Sequence, residues 1–243
     1  MSSSLVGKAA LVTGASRGIG RAVALGLAEQ GAAVAIGYLT NKERAREVVD
    51  QIVDGGGKAI AVGADLSRPA EVTRLFTEAE AAVGTVDIVV ANAADALIKP
   101  LVDCTEEDYD RIFDTNTRSV FFCLQEAARR LPDGGRIVVT STSGTRMFFG
   151  ELSLYLGSKG AIEQFVRVLS RELGERRITV NAVSPGFTDT DLLPDRDREV
   201  AAGMSPFKRV GQPEDVAEVV VFLAGERARW VTGQNIAAGG GVC

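Results

Sequence analysis

Histidine is absent from this chain of 243 residues. With it goes the side chain whose ordinary pKa suits proton transfer near neutral pH, so any acid-base work must fall to another group. Cysteine is scarce: Cys104, Cys123 and Cys243 are far apart, odd in number and without metal-ligand spacing. That suits a reducing compartment and no metal, with Cys104 and Cys123 expected in the core. No apolar run is long enough to cross a membrane. No block of basic residues interleaves with aromatics, and a net charge of -5 weighs against nucleic acid. The opening "MSSSLVGKAALVTG" has no charged leader followed by an apolar run and cleavage site. The expectation is a cytoplasmic protein with no membrane partner. Repeats, low-complexity tracts and linkers are missing too, so residues 1–243 read as one domain with a substantial core.

Short apolar runs alternate with longer amphipathic ones. "KAALVTG", "AVAIGY", "KAIAVGADL", "VDIVVANAA", "GGRIVVTSTS", "ITVNAVSPG" and "GQNIAAGG" read as strands. Between them, "RGIGRAVALGLAEQG", "NKERAREVVDQIVDGGG", "RPAEVTRLFTEAEAAVG", residues 106–131, "YLGSKGAIEQFVRVLSRELGERR" and "PEDVAEVVVFLAG" read as helices. Strands apolar throughout, each followed by a helix, imply a parallel sheet covered on both faces. Right-handed crossovers make this α/β chain a single-domain, doubly wound, Rossmann-type sheet. Ligands then bind at the carboxyl ends of the strands.

After the first strand comes "TGASRGIG", with Gly14, Gly18 and Gly20. Glycines there allow a tight turn, close approach to a pyrophosphate, and close packing of helix on sheet. Ser16, Arg17 and Ile19 share the loop, and the helix N-terminus offers N–H groups to phosphate. The spacing is GxxxGxG rather than GxGxxG, and a glycine-rich turn without a ligand reads the same way. The second strand ends "AIGYLTNK", which places Tyr38 and Thr40 at its tip and no carboxylate before Glu43. An acid there would favour NAD; Arg17, with Lys42 nearby, favours the extra phosphate of NADP(H) over NAD(H). Arg17 as a solvent-facing loop charge is the alternative. At the end of strand three Asp65, beside Leu66, could accept from an adenine amino group.

Tyr155 and Lys159 stand at i and i+4 on one helix face. A nearby ammonium lowers a phenol's pKa from near 10, and the phenol can then protonate a carbonyl oxygen. Such a pair alone is ordinarily a packed tyrosine beside a surface lysine. Together, "TGASRGIG", "NAA", "YLGSK" and "VNAVSPGFTDT", in that order, make residues 5–243 resemble the short-chain dehydrogenase/reductase family. Within it the chain looks like 3-oxoacyl carrier-protein reductases and is also similar to fungal polyhydroxynaphthalene reductases.

The resemblance implies that Tyr155 is the acid-base and that Lys159 binds the nicotinamide ribose and lowers the tyrosine pKa. It implies that Asn116 holds a water in a proton relay from Lys159. Asn92 would support the sheet and approach the adenosine ribose; Pro185, Gly186, Thr188 and Thr190 would line the carboxamide and pyrophosphate. A homotetramer is implied as well. The family's catalytic serine falls, counted without a gap from "GGRIVVTSTSG", on Thr142; Ser143 is the alternative, and Ser141 should alternate to the other face. Two further departures are Ala94 where glycine is usual and Ala238 where aspartate is common.

The expected activity is NADP(H)-dependent interconversion of a ketone and a secondary alcohol, foremost a 3-oxoacyl thioester, with a cyclic or polyketide-like ketone as the alternative. A non-catalytic cofactor-binding homologue is a further alternative. Met147, Phe148, Phe149, Leu192 and Leu193 suggest an apolar pocket, or else core and subunit contacts. Residues 190–212 read as a lid closing over a small-molecule carbonyl or alcohol. Arg176 and Arg177 are candidates to meet an acidic carrier protein, with plain surface charge as the alternative.

Overall fold

The computed structural model describes residues 5–243; the first four residues, part of the leader reading, lie outside them. Seven parallel strands follow the order β3-β2-β1-β4-β5-β6-β7. They are β1 (Ala9–Thr13), β2 (Ala33–Tyr38), β3 (Ala59–Gly63), β4 (Ile88–Ala91), β5 (Arg136–Thr140), β6 (Thr179–Pro185) and β7 (Asn235–Ala238). Every strand expected from the sequence is present, several shorter by a few residues at the carboxyl end. That trimming has a physical reason: the chain leaves the sheet where it begins to line the cleft.

The strands are apolar throughout because both faces are covered. On β1, Ala9 and Leu11 join one core, whereas Ala10 and Val12 join the other. The first core lies under α3 (Pro69–Val83), α5 (Ser119–Arg130) and α6 (Ser153–Glu172). The second lies under α1 (Gly18–Glu29), α2 (Lys42–Asp54) and α8 (Pro213–Ala224). Proline opens both α3 and α8, where a missing N–H costs nothing.

The helical region expected over 106–131 consists of two helices joined by a wider turn. α4 (Glu106–Phe113) starts at a capping box made by Thr105 and Asp108, and a π-helical turn, Asp114–Arg118, leads into α5. The catalytic helix ends at Glu172 rather than running to residue 177; Arg177 takes a left-handed conformation, φ 56°. A short helix, α7 (Arg198–Met204), stands inside the expected lid. The base of that excursion is closed by a bridge between Thr188 and Gly211, with Asp189 N–H donating to Gly211 O at 2.8 Å.

Cys123 is buried in the core, and burial pushes its thiol up to about 12. Cys104 is not a core residue: it is half-buried ahead of α4, its thiol over the Pro100 carbonyl at 3.5 Å. No helix among the described residues is long and apolar enough to cross a membrane.

Candidate active site

The carboxyl ends of the central strands open onto one cleft of about 850 Å³, on either side of the point where strand order reverses between β1 and β4. At its nucleotide end, Gly14 and Gly18 have φ of 64° and 53°, the left-handed region that glycine enters freely. A Cβ on Gly14 would lie 2.7 Å from the Ala93 Cα. One on Gly20 would lie 2.4 Å from the Gly14 carbonyl and 2.5 Å from Asn92 Nδ2. Gly14, Ser16, Arg17, Gly18 and Ile19 face the cleft, whereas Gly20 packs behind the loop.

α1 begins without a side-chain cap and without an acid in its first turn. Its first N–H groups and positive dipole end are therefore left for an anion. The Arg17 guanidinium lies 2.7 Å from Asp191 Oδ2, and Arg44 shares that oxygen at 3.3 Å. Tyr38 and Thr40 continue the wall from β2, and Asp65 and Leu66 from the end of β3. Asp65 Oδ1 also accepts from Ser67 N at 3.1 Å and Ser67 Oγ at 2.7 Å. An uncapped helix start, a glycine turn and two guanidiniums at one end of a long cleft fit a dinucleotide that carries an additional phosphate.

Asn92 stitches the cleft floor. Its Nδ2 donates to Thr13 O and Gly14 O, both at 3.2 Å, and its Oδ1 accepts from Thr140 Oγ1 at 3.1 Å. From β6, Pro185 and Gly186 line the cleft; Thr188 Oγ1 donates to Gly186 O at 3.1 Å. Thr190 reaches back to the glycine loop, its Cγ2 3.2 Å from where a Gly18 Cβ would be.

At the reacting end the structure brings Tyr155, Lys159 and Thr142 together. Lys159 is buried, and its ammonium donates to Thr140 O at 2.8 Å, 6.0 Å from the centre of the Tyr155 ring. Thr142 Oγ1 accepts from Gly144 N at 3.2 Å, and its hydroxyl beside the Tyr155 phenol acts to lower the phenol's pKa. Ser143 turns its hydroxyl to Ser184 O at 3.1 Å, and Ser141 turns to Glu163 Oε1 at 2.7 Å. Of the three, Thr142 is the hydroxyl beside the phenol, while Ser141 and Ser143, which also line the cleft, are engaged elsewhere.

The pKa pattern differs from the expectation. Burial raises Tyr155 above the ordinary phenol value, opposed by the Thr142 hydrogen bond. Burial also lowers Lys159 to about 8, opposed by the Glu163 carboxylate. Loss of water thus dominates both groups in the free chain, and the phenol holds its proton at neutral pH.

Asn116 lies in the π-helical turn, fully buried. Its Oδ1 accepts from Asp95 N at 2.8 Å; its Nδ2 donates to Asp95 O at 2.8 Å and Ser158 Oγ at 3.0 Å. The side chain braces the turn.

Met147, Phe149, Leu192 and Leu193 line the cleft with Phe187, whose ring packs edge-on against Phe149 at 5.9 Å. Phe148 does not: it is fully exposed, because the loop after β5 turns it outward. Arg176 bonds to the carbonyls of Ala128 and Leu131 and pairs with Asp133, so it closes the end of α5 instead of offering a free charge to a carrier. Arg44 and Glu163 were not singled out from the sequence. Arg44 and Arg17, from separate segments, are brought together on the Asp191 carboxylate. The sole sequence signal for Glu163 is its place one turn beyond Lys159.

A phosphate-binding turn, an uncapped helix start and a tyrosine-lysine-threonine group on one doubly wound sheet define a dinucleotide-dependent oxidoreductase. Residues 14–243 match the family described as "Enoyl-(Acyl carrier protein) reductase". A hydroxynaphthalene reductase-like protein of Metarhizium brunneum is 43% identical over 256 residues, covering 98% of this chain and 96% of that protein. The versicolorin reductase of Emericella nidulans is 44% identical over 254 residues, with 98% and 96% covered. Among solved structures, the landomycin C-6 ketoreductase LanV with bound NADP and rabelomycin superposes with a TM-score of 0.91 at 42% identity, covering 98% of this chain and 97% of that one. The chain belongs to the short-chain dehydrogenase/reductase family.

Proposed function

We propose that this protein is an NADP(H)-dependent reductase of polyketide-type ring ketones, converting the ketone to a secondary alcohol. The observation that carries the reading is Thr142 beside the Tyr155 phenol and buried Lys159, at the apolar end of a cleft whose other end holds Arg17, with Arg44 behind it on the shared Asp191 carboxylate. NADP(H) use is supported by those two guanidiniums and by the NADP in the LanV structure. A ring ketone, rather than the 3-oxoacyl thioester first expected, is supported by relatives named for hydroxynaphthalene and versicolorin. The aromatic wall of Phe149 and Phe187 also suits a flat ring.

The glycine loop, the start of α1, Arg17 and Arg44 would hold the nucleotide, with Asp65, Leu66, Tyr38 and Thr40 about its adenosine. Bound NADPH supplies the hydride. Thr142, whose oxygen is occupied by Gly144 N–H, has its proton free to donate to the substrate oxygen. Tyr155 delivers its phenolic proton to that oxygen as charge develops there. Lys159 stabilises the resulting phenolate, and Asn116 keeps the π-helical turn open for the water of the relay. Residues 190–212 act as the lid, and one Rossmann-type domain carries the whole site.

A homotetramer is supported by exposed aromatics on α4 and α5, Tyr109 and Phe121, the latter packed at 5.5 Å on half-buried Phe165 of α6. A cytoplasmic setting is supported by three free thiols. The test is NADPH and NADH consumption against polyphenolic ring ketones and acetoacetyl thioesters, with Tyr155→Phe as control. Turnover of a ring ketone with NADPH, reduced about 10²- to 10⁴-fold in the mutant, is the expected result. Turnover confined to thioesters, or a preference for NADH, would overturn the reading.

A further inference from the structure

We infer that Glu163 is a positioning residue for this reaction: it holds the turn after β5 so that the Thr142 hydroxyl points at the phenol. The inference rests on the reductase reading for its meaning, but on separate observations for its geometry.

Glu163 Oε1 accepts two hydrogen bonds from residues on either side of Thr142: Ser141 Oγ at 2.7 Å and Thr145 Oγ1 at 2.8 Å. Ser141 is the last residue anchored to the sheet here, through its N–H to Val183 O at 2.8 Å. Thr145 belongs to the single 3-10 turn, Ser143–Arg146, into which Thr142 leads. One carboxylate oxygen on α6 therefore ties both ends of the short segment bearing Thr142 to the helix bearing Tyr155 and Lys159.

The orientation of Thr142 depends on that turn. Its Oγ1 accepts from Gly144 N, two residues on, at 3.2 Å. Its β-branched side chain has few χ1 choices, and its proton is aimed by whatever fixes Gly144. The Thr145 hydroxyl, 3.0 Å from Thr142 O, has one proton to share between that carbonyl and the nearer Glu163 oxygen. A serine in place of Thr142 could rotate to find the phenol. A threonine cannot do so without swinging its methyl, so the turn must arrive already set. The groups facing the carboxylate are the Ser141 and Thr145 hydroxyls from the turn and, one helical turn back, the Lys159 ammonium.

Glu163→Leu removes the acceptor and the charge; Glu163→Gln removes the charge and keeps an acceptor oxygen. Comparing the two isolates the hydrogen bonds. The first readout needs no substrate: ultraviolet titration of the phenol in the free protein, with the Tyr155→Phe titration subtracted. Glu163→Leu is expected to titrate above Glu163→Gln, as Thr142→Val does above wild type. In the Thr142→Val background Leu and Gln at 163 should titrate alike. The second readout is ketone turnover. Glu163→Leu is expected to lose about tenfold more kcat/KM than Glu163→Gln, with NADPH affinity unchanged, and the difference should vanish beside Thr142→Val.

Equal phenol titrations for Leu and Gln, or losses that multiply with Thr142→Val, would overturn the inference. Thermal unfolding of each variant separates misfolding from misorientation. A wild type that turns over no ring ketone overturns the reductase reading alone, since the phenol titration still decides the role of Glu163.

Discussion

Tyr155 and Lys159 stand one turn apart on α6, yet their roles are set by opposite effects of the same burial. The phenol is pushed up and the ammonium is pushed down to about 8. A phenol that keeps its proton is an acid ready for the reducing direction. At this scale Thr142 is the residue to change. Thr142→Val keeps the shape and removes the donor, and kcat for ring-ketone reduction is expected to fall about 10²- to 10³-fold. Thr142→Ser keeps the donor and is expected to remain active in steady-state assays. Activity in the valine variant equal to wild type would exclude Thr142 from the reaction. Sequence counting from "GGRI" reached Thr142, but could not separate it from Ser143. The turn does so by sending Ser143 to Ser184 O.

Among the elements, the π-helical turn between α4 and α5 was invisible to periodicity, because helical spacing continues through it. Its reason lies across the fold: Asn116 bonds both polar atoms of the Asp95 backbone and Ser158 on α6. Asn116→Ala leaves those buried groups without partners, and a loss of about 1–3 kcal/mol is expected in urea unfolding. No change in the unfolding midpoint would show that the turn holds without it. The glycine turn, by contrast, was legible, since strand, turn and helix are contiguous, although the close neighbours of Gly14 and Gly20, Ala93 and Asn92, come from the end of β4. Arg44 was not, because it shares Asp191, far along the chain after β6, with Arg17.

For the whole molecule, burying Lys159 carries a stability consequence in the absence of cofactor. Its folded pKa, about 8, lies below the ordinary 10.5. Between those values the unfolded chain binds a proton that the folded chain lacks, so this group makes stability rise with pH. Its destabilising effect is complete below about pH 8 and gone above about 10.5. Lys159→Met is therefore expected to be more stable than wild type at pH 7, by on the order of 2–3 kcal/mol, and inactive. The advantage should shrink as urea midpoints are measured toward pH 10; an advantage that grows with pH would contradict the assignment.

Alternating apolar and amphipathic runs were enough to determine a doubly wound parallel sheet, because a strand buried on both faces must be apolar throughout. The order of the motifs fixed which strand ends carry polar groups, and contiguous signals fixed Gly14, Gly18, Tyr155 and Lys159. Tertiary structure decided the rest. It sent Phe148 outward while Phe149 met Phe187, put Arg176 to work capping α5, and brought Arg44 to Arg17 and Glu163 to the turn of Thr142. The physical reason is common to all of these. Hydrophobic period is a property of neighbours along the chain, whereas a hydrogen bond or ion pair between segments depends on distances that only the closed sheet sets.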